Sequence, residues 1–125
     1  MKNYYNITII YADEKGDSHF EDIQIDLKDK GDIGFLSDLQ ETTGIVFRKV
    51  KADYDFDFHK APNRQYIILQ DGKIEIQTSL GATRTFEQGD ILLVEDTFGI
   101  GHKTRNIKKA IRSSIFVILK EQFLS

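Results

Sequence analysis

The stretch Asp57-Phe58-His59-Lys60-Ala61-Pro62-Asn63-Arg64-Gln65-Tyr66-Ile67-Ile68-Leu69-Gln70-Asp71-Gly72 decides how this chain is read. It carries one of three histidines and the only proline. Its entry, Tyr54-x-Phe56-x-Phe58, alternates apolar and polar residues as a half-buried strand does. Ala61-Pro62-Asn63 is a corner, and Gln65 to Leu69 is a second strand. Asp71-Gly72 predicts a two-residue type I′ hairpin turn, because aspartate and glycine tolerate positive φ. That turn sets Gln70 opposite Lys73, Leu69 opposite Ile74, Ile67 opposite Ile76 and Gln65 opposite Thr78. Leu69, Ile67, Ile74 and Ile76 then share one face with Gln65, while Lys73, Glu75 and Gln77 point to solvent.

Working outward, residues 4–11 read as a β-rich strand, followed by the polar turn Asp13-Glu14-Lys15-Gly16-Asp17. From Ile23 onward, alternation with Gln24 and Asp26 predicts a second strand. Ile33, Leu36 and Leu39 have helical spacing, so 33–41 is expected to form a helical turn or a short helix ended by Thr43-Gly44. Gly44 to Lys51 returns to a strand pattern. Beyond the hairpin, Leu80-Gly81 and Glu87-Gln88-Gly89-Asp90 are turns, with Thr83 to Phe86 as a strand between them. Ile91-Leu92-Leu93-Val94 and Ile115 to Leu119 are continuous apolar runs, strands buried on both faces. Asp96 to Gly101 is a glycine-bearing loop. Many short strands, turns at close intervals and little helix predict an all-β sandwich or barrel, expected as one domain over 1–125.

The bulk properties narrow the function. The 125 residues, 40% hydrophobic and 30% charged, suit a globular protein with a core of its own. There is no cysteine, which excludes disulfides and thiolate metal sites. A net charge of -3 does not suggest a nucleic-acid partner. No apolar run approaches a membrane span, and Met1-Lys2-Asn3-Tyr4-Tyr5 has no signal-peptide core, so a cytoplasmic protein is expected. No nucleophile elbow, Walker loop or dinucleotide fingerprint is found.

Two stretches together resemble the paired motifs of the cupin superfamily. In the first motif, Asp57 stands where such proteins usually have a first histidine, His59 matches the second, and Gln65 replaces a glutamate. Gly72, seven residues after Gln65, matches the motif glycine. In the second motif, Gly89 opens the run, Gly99 and Gly101 supply the turn, His102 matches the histidine and Asn106 the asparagine. The usual proline is missing, and Glu95-Asp96-Thr97-Phe98 lengthens the turn. Ser18-His19-Phe20, Asp57 to Tyr66, and Glu95-Asp96-Thr97 with Gly99-Ile100-Gly101-His102 also resemble a bacterial group of small cupins of uncertain function.

The resemblance implies a double-stranded β-helix, the cupin jelly-roll barrel. It also implies a homodimer, for which the strand over residues 4–11 is a candidate exchange or edge-pairing element. It further implies a divalent metal (Fe, Mn, Ni or Zn) in the barrel, with His59, His102, Gln65 and Asp57 as candidate ligands. Imidazole and carboxylate suit such ions, although a neutral amide at Gln65 is a poor substitute for a carboxylate. Asp57 lies two residues from His59, so strict alternation sends both to the same side of a strand. Alternation alone also turns Tyr54, Phe56 and Phe58 to the core and His59 to water, whereas the resemblance turns His59 inward. Arg48 and Arg64 are candidates for bidentate binding of an anionic group. His19 reads as a strand-end residue, Tyr66 as packing, and Glu95-Asp96 as a solvated acidic pair.

Two functions follow. One is a metal-dependent enzyme of dioxygenase or isomerase type acting on a small molecule, with catalytic residues unassigned. The alternative is a non-catalytic, metal-poor module that holds a small ligand in its barrel.

Overall fold

The structure is a computed structural model that describes residues 3–121. Twelve strands follow in order: β1 (Tyr4–Ala12), β2 (Ser18–Asp26), β3 (Lys28–Asp29), β4 (Phe35–Leu36), β5 (Thr42–Val50), β6 (Asp55–His59), β7 (Gln65–Leu69), β8 (Lys73–Thr78), β9 (Thr83–Glu87), β10 (Ile91–Val94), β11 (His102–Asn106) and β12 (Arg112–Leu119). Six of them form one sheet in the order β2-β1-β10-β7-β12-β5, and four form a second in the order β6-β11-β8-β9. β3 and β4 pair separately as a two-stranded ribbon. The two large sheets face each other as a jelly roll.

The apolar patterns explain which faces are buried. Leu92 and Val94 of β10 enter the cluster between the sheets with Ile10, Leu69, Ile74 and Ile76. Leu93 points the other way and packs with Ile7, Ile9 and Leu119 on the outer side. β10 is thus buried on both faces, as its unbroken apolar run predicts. Its place between β1 (parallel) and β7 (antiparallel) explains why it carries no polar residue.

Three expectations are corrected. First, 33–41 holds no α-helix: a 3-10 turn at Gly31–Ile33 leads into β4, and Ile33 and Leu39 are exposed. Their helical spacing has no apolar surface to bury against. Second, β7 and β8 do not pair as a hairpin; they lie in opposite sheets. Gly72 has φ +75°, but no non-glycine residue among those described has positive φ, so Asp71 does not make a type I′ turn. Asp71 instead accepts the Ser113 backbone N–H through Oδ1 at 2.6 Å, and the space a Gly72 Cβ would need is taken by the Arg112 methylenes. The register predicted across β7 and β8 is therefore not formed. Leu69, Ile74 and Ile76 still share one core, but they reach it from opposite walls. Third, β1 is not a free edge, because β2 and β10 flank it. β5 is an edge strand, and its Ile45, Val46 and Phe47 are exposed.

Gly101 brings the β11 entry onto β6. It has φ +79°, and a Cβ there would collide with the His59 carbonyl. Gly101→Ala is expected to cost roughly 3 kcal/mol or more, from strain plus displacement of β6. Gly44→Ala, with ordinary φ and open space around it, should stay within about 0.5 kcal/mol of wild type. Urea unfolding of the two variants checks the difference; a Gly101→Ala protein as stable as wild type contradicts the close approach.

Candidate functional site

A cavity of about 320 Å³ lies between the sheets. Ile67, Leu92 and Phe116 wall it on the six-stranded side, and Ile76, Thr104 and His102 on the four-stranded side. His59, Gln65, Arg48 and Arg112 also line it. The structure thus gathers four of the sequence-predicted candidates, His59, Gln65, His102 and Arg48, into one place, and the local backbone explains how.

His59 turns inward because β6 is bulged. His102 pairs with His59 and Thr104 with Phe56, so two residues of β6 stand against one of β11. The extra residue lies at Asp57-Phe58. The Asp57 carboxylate accepts the Phe58 N–H at 2.8 Å, and the Asp57 carbonyl accepts from His59 Nδ1 at 2.9 Å. Strict alternation, which would put Asp57 beside His59, is therefore broken. Tyr54, Phe56 and His59 line the cavity together, and Asp57 does not. The expectation of alternation and the inward His59 are reconciled by one inserted residue.

The two imidazoles are neighbours, with ring centroids 4.9 Å apart. The Phe56 ring meets His59 edge-on at 4.4 Å. His102 Nδ1 lies 2.5 Å from Asp96 Oδ2, and the Asp96 side chain is fully buried. Glu95-Asp96 is thus not a solvated pair: Glu95 bonds Arg64, while Asp96 supports His102 from inside. The Asp57 carbonyl can only accept, so His59 carries its proton on Nδ1 when neutral. The same logic places a proton on His102 Nδ1 facing the carboxylate. Each neutral ring then keeps an unprotonated Nε2. Burial lowers the His59 pKa below its ordinary value; the Asp57 carbonyl opposes this, and His102 and Arg48 add to the lowering.

Asn106 does not line the cavity but is fully buried beside Arg112, which does. Its Nδ2 donates to the carbonyls of Lys51 and Ala52, each at 3.2 Å, and its Oδ1 accepts from Arg112 Nε at 3.0 Å. Arg112 is held there with 3% of its surface exposed. Burial lowers its pKa first, and the Arg48 charge lowers it further. Arg64 lies elsewhere, on an outer groove beside Tyr66 and Glu95. His19 is also remote from the cavity and pairs with Asp13 at 2.6 Å. Among the described residues, no three His, Cys, Asp or Glu side chains gather as a metal-ligating group.

Sequence reading missed Arg112, the Asp96 support and β11 itself. His102-Lys103-Thr104-Arg105-Asn106 has no apolar residue, yet His102, Thr104 and Asn106 alternate as buried positions. The period of two was present in polar residues, where hydrophobic alternation does not look. Arg112 gave no signal beside Lys108 and Lys109.

No family model and no curated protein matches this chain. Solved structures do. The Schizosaccharomyces pombe Cnp3 cupin domain is similar with a TM-score of 0.50 and 13% identity, over 96% of this chain and 86% of that one. Conserved protein SPY1581 of unknown function from Streptococcus pyogenes gives a TM-score of 0.46 at 16% identity, over 70% of this chain and 72% of that one. Protein NMB1881 from Neisseria meningitidis gives 0.43 at 15%, over 66% and 84%. Taken with the two facing sheets, the Cnp3 likeness defines the class: a cupin-like jelly roll.

The lowered His59 pKa has a stability consequence. Below its ordinary value of 6.5 the unfolded chain takes up a proton that folded His59 does not, so acid favours unfolding. Above that value both states are neutral there, and the effect vanishes. Stability is expected to fall between about pH 7.5 and about pH 5.5 more steeply in wild type than in His59→Phe. Urea titrations across that range check it; parallel profiles would show that His59 is not desolvated.

Proposed function

We propose that this chain is a small-molecule-binding protein whose ligand occupies the cavity between the sheets. The observation that carries the reading is the cavity itself: about 320 Å³, apolar walls from both sheets, and a few polar side chains directed into it. Its volume is at the small end for ligand sites, which favours a compact ligand. His59, His102 and Gln65 would orient it.

The metal-dependent reading fares less well on its donors. The cavity offers two imidazoles and one amide, with no carboxylate in its wall. Of the nearby acids, Asp57 accepts the Phe58 N–H, and Asp96 meets His102 Nδ1 through Oδ2 while its buried Oδ1 has no hydrogen-bond partner among the described residues; neither carboxylate lines the cavity. Two guanidiniums share the same cavity and oppose a cation. This set does not fit a resident Fe, Mn, Ni or Zn ion, for which charge-neutralising ligands are the rule. The non-catalytic binding module is accordingly the function we assign.

Two experiments test this. In ligand-observed NMR with a library of small fragments, wild type should show binders that Ile67→Trp, filling the cavity but still folded by circular dichroism, has lost. Fragments that bind both proteins equally would place the site elsewhere. Separately, protein purified without a histidine tag and dialysed after exposure to Fe, Mn, Ni or Zn should keep no stoichiometric metal. Stoichiometric metal in wild type that disappears in the His59→Ala, His102→Ala double variant would restore the metal-dependent enzyme.

A further inference from the structure

The chain has five arginines. Three of them meet an acid: Arg64 with Glu95, Arg84 with Asp22 at 2.6 Å, and Arg105 with Glu75 at 3.0 Å. Arg48 and Arg112 are the two without an acidic partner among the described residues, and both line the cavity. A protein with 20 acidic residues and a net charge of -3 has thus set one buried and one half-buried guanidinium, neither in an ion pair, against the same cavity. Buried charges are ordinarily paired, so this arrangement is unfavourable unless something answers it.

Both groups are held in position. Arg48 Cζ lies 5.0 Å from the Tyr54 ring centroid and 5.2 Å from that of Phe116. Arg112 Cζ lies 5.6 Å from the same Tyr54 ring, and its Nε is fixed by the Asn106 amide. Among the described residues, Nε is the only Arg112 side-chain nitrogen with a hydrogen-bond partner. Burial and the Arg48 charge both weaken the proton affinity of Arg112, and the more weakly felt Tyr54 and Asp71 oppose this without forming an ion pair.

We infer that the ligand of this cavity is a small organic carboxylate with an apolar body, its acid group held between Arg48 and Arg112. The inference rests on the reading of the cavity as a ligand site. The planar guanidinium fork matches a carboxylate in two-point contact. Ile67, Ile74 and Leu92 supply apolar wall for the rest of the molecule. That wall favours a carboxylate over a phosphate, which would bring more charge and more oxygens out of water.

The test uses the full chain without a tag and the probes benzoate, phenyl phosphate and benzyl alcohol, read by calorimetry and thermal shift. Benzoate should bind wild type and raise its melting temperature, and benzyl alcohol should not. Arg48→Gln, at a half-buried position, should weaken benzoate at least about tenfold while remaining folded. Arg112→Gln should do the same; if it does not fold, Arg48→Gln carries the test. Equal binding of benzoate and benzyl alcohol, unaffected by Arg48→Gln but lost in Ile67→Trp, overturns the carboxylate and leaves the cavity as a ligand site. Binding of phenyl phosphate alone overturns the carboxylate class. Binding of none of the probes overturns the carboxylate, and fragment binders lost in Ile67→Trp would show the ligand site standing without it.

Discussion

The buried contact between Asp96 and His102 is the interaction on which the rest depends. Asp96 has no exposed surface, and His102 is its one side-chain partner. Removing the imidazole would leave a carboxylate alone in the interior, a loss of about 3–5 kcal/mol by analogy with other buried pairs. The loop that carries Asp96 is tied down around this contact. The Asp96 carbonyl accepts the Ala61 N–H at 2.9 Å, which holds the corner before β7. The Glu95 N–H reaches the Ile10 carbonyl at 2.7 Å, and Ile100 N–H the Gly16 carbonyl at 3.0 Å. Ser18 Oγ donates to the Gly101 carbonyl at 2.7 Å. One loop therefore joins β1, the β1–β2 turn, the β6–β7 corner and β11, and sets His59 beside His102.

That clamp determines the character of the cavity. Asp96 faces His102 from behind and does not line the cavity, so the wall keeps imidazole, amide and guanidinium. Asn106 works similarly on the other side: its amide is saturated by backbone carbonyls and Arg112, and presents the guanidinium rather than competing with it. The result is a cationic, partly apolar chamber inside an acidic protein. On this arrangement the proposed recognition of a compact anion rests.

The strands were largely legible in the sequence, because period-two burial is written directly in apolar residues such as Ile23 and Ile25, or Ile91 to Val94. Their partners were less so. Asp71-Gly72 has the composition of a hairpin, yet the same two residues serve as a bridge between sheets, and no local signal separates the uses. The helical spacing of Ile33, Leu36 and Leu39 misled for a related reason: spacing predicts a helix only where a surface waits to cover it. At the site, His59 and His102 were found from the motif resemblance, but the bulge that turns His59 inward and frees Asp57 was hidden. A bulge depends on backbone pairing with β11, a strand whose buried positions are all polar. Arg112 was invisible because its importance comes from the absence of a partner, which only three-dimensional packing reveals.

The β6 bulge and the Asp96 contact bring two Nδ1-anchored histidines together in the cavity. Long-range ¹H–¹⁵N correlation of the histidine rings at mildly alkaline pH, with ring-to-ring nuclear Overhauser effects, tests it most directly. The Nδ1–H tautomer is expected for both His59 and His102, with cross-relaxation from His59 to the Phe56 and His102 rings. His59 in the Nε2–H tautomer with no contact to either ring would contradict it.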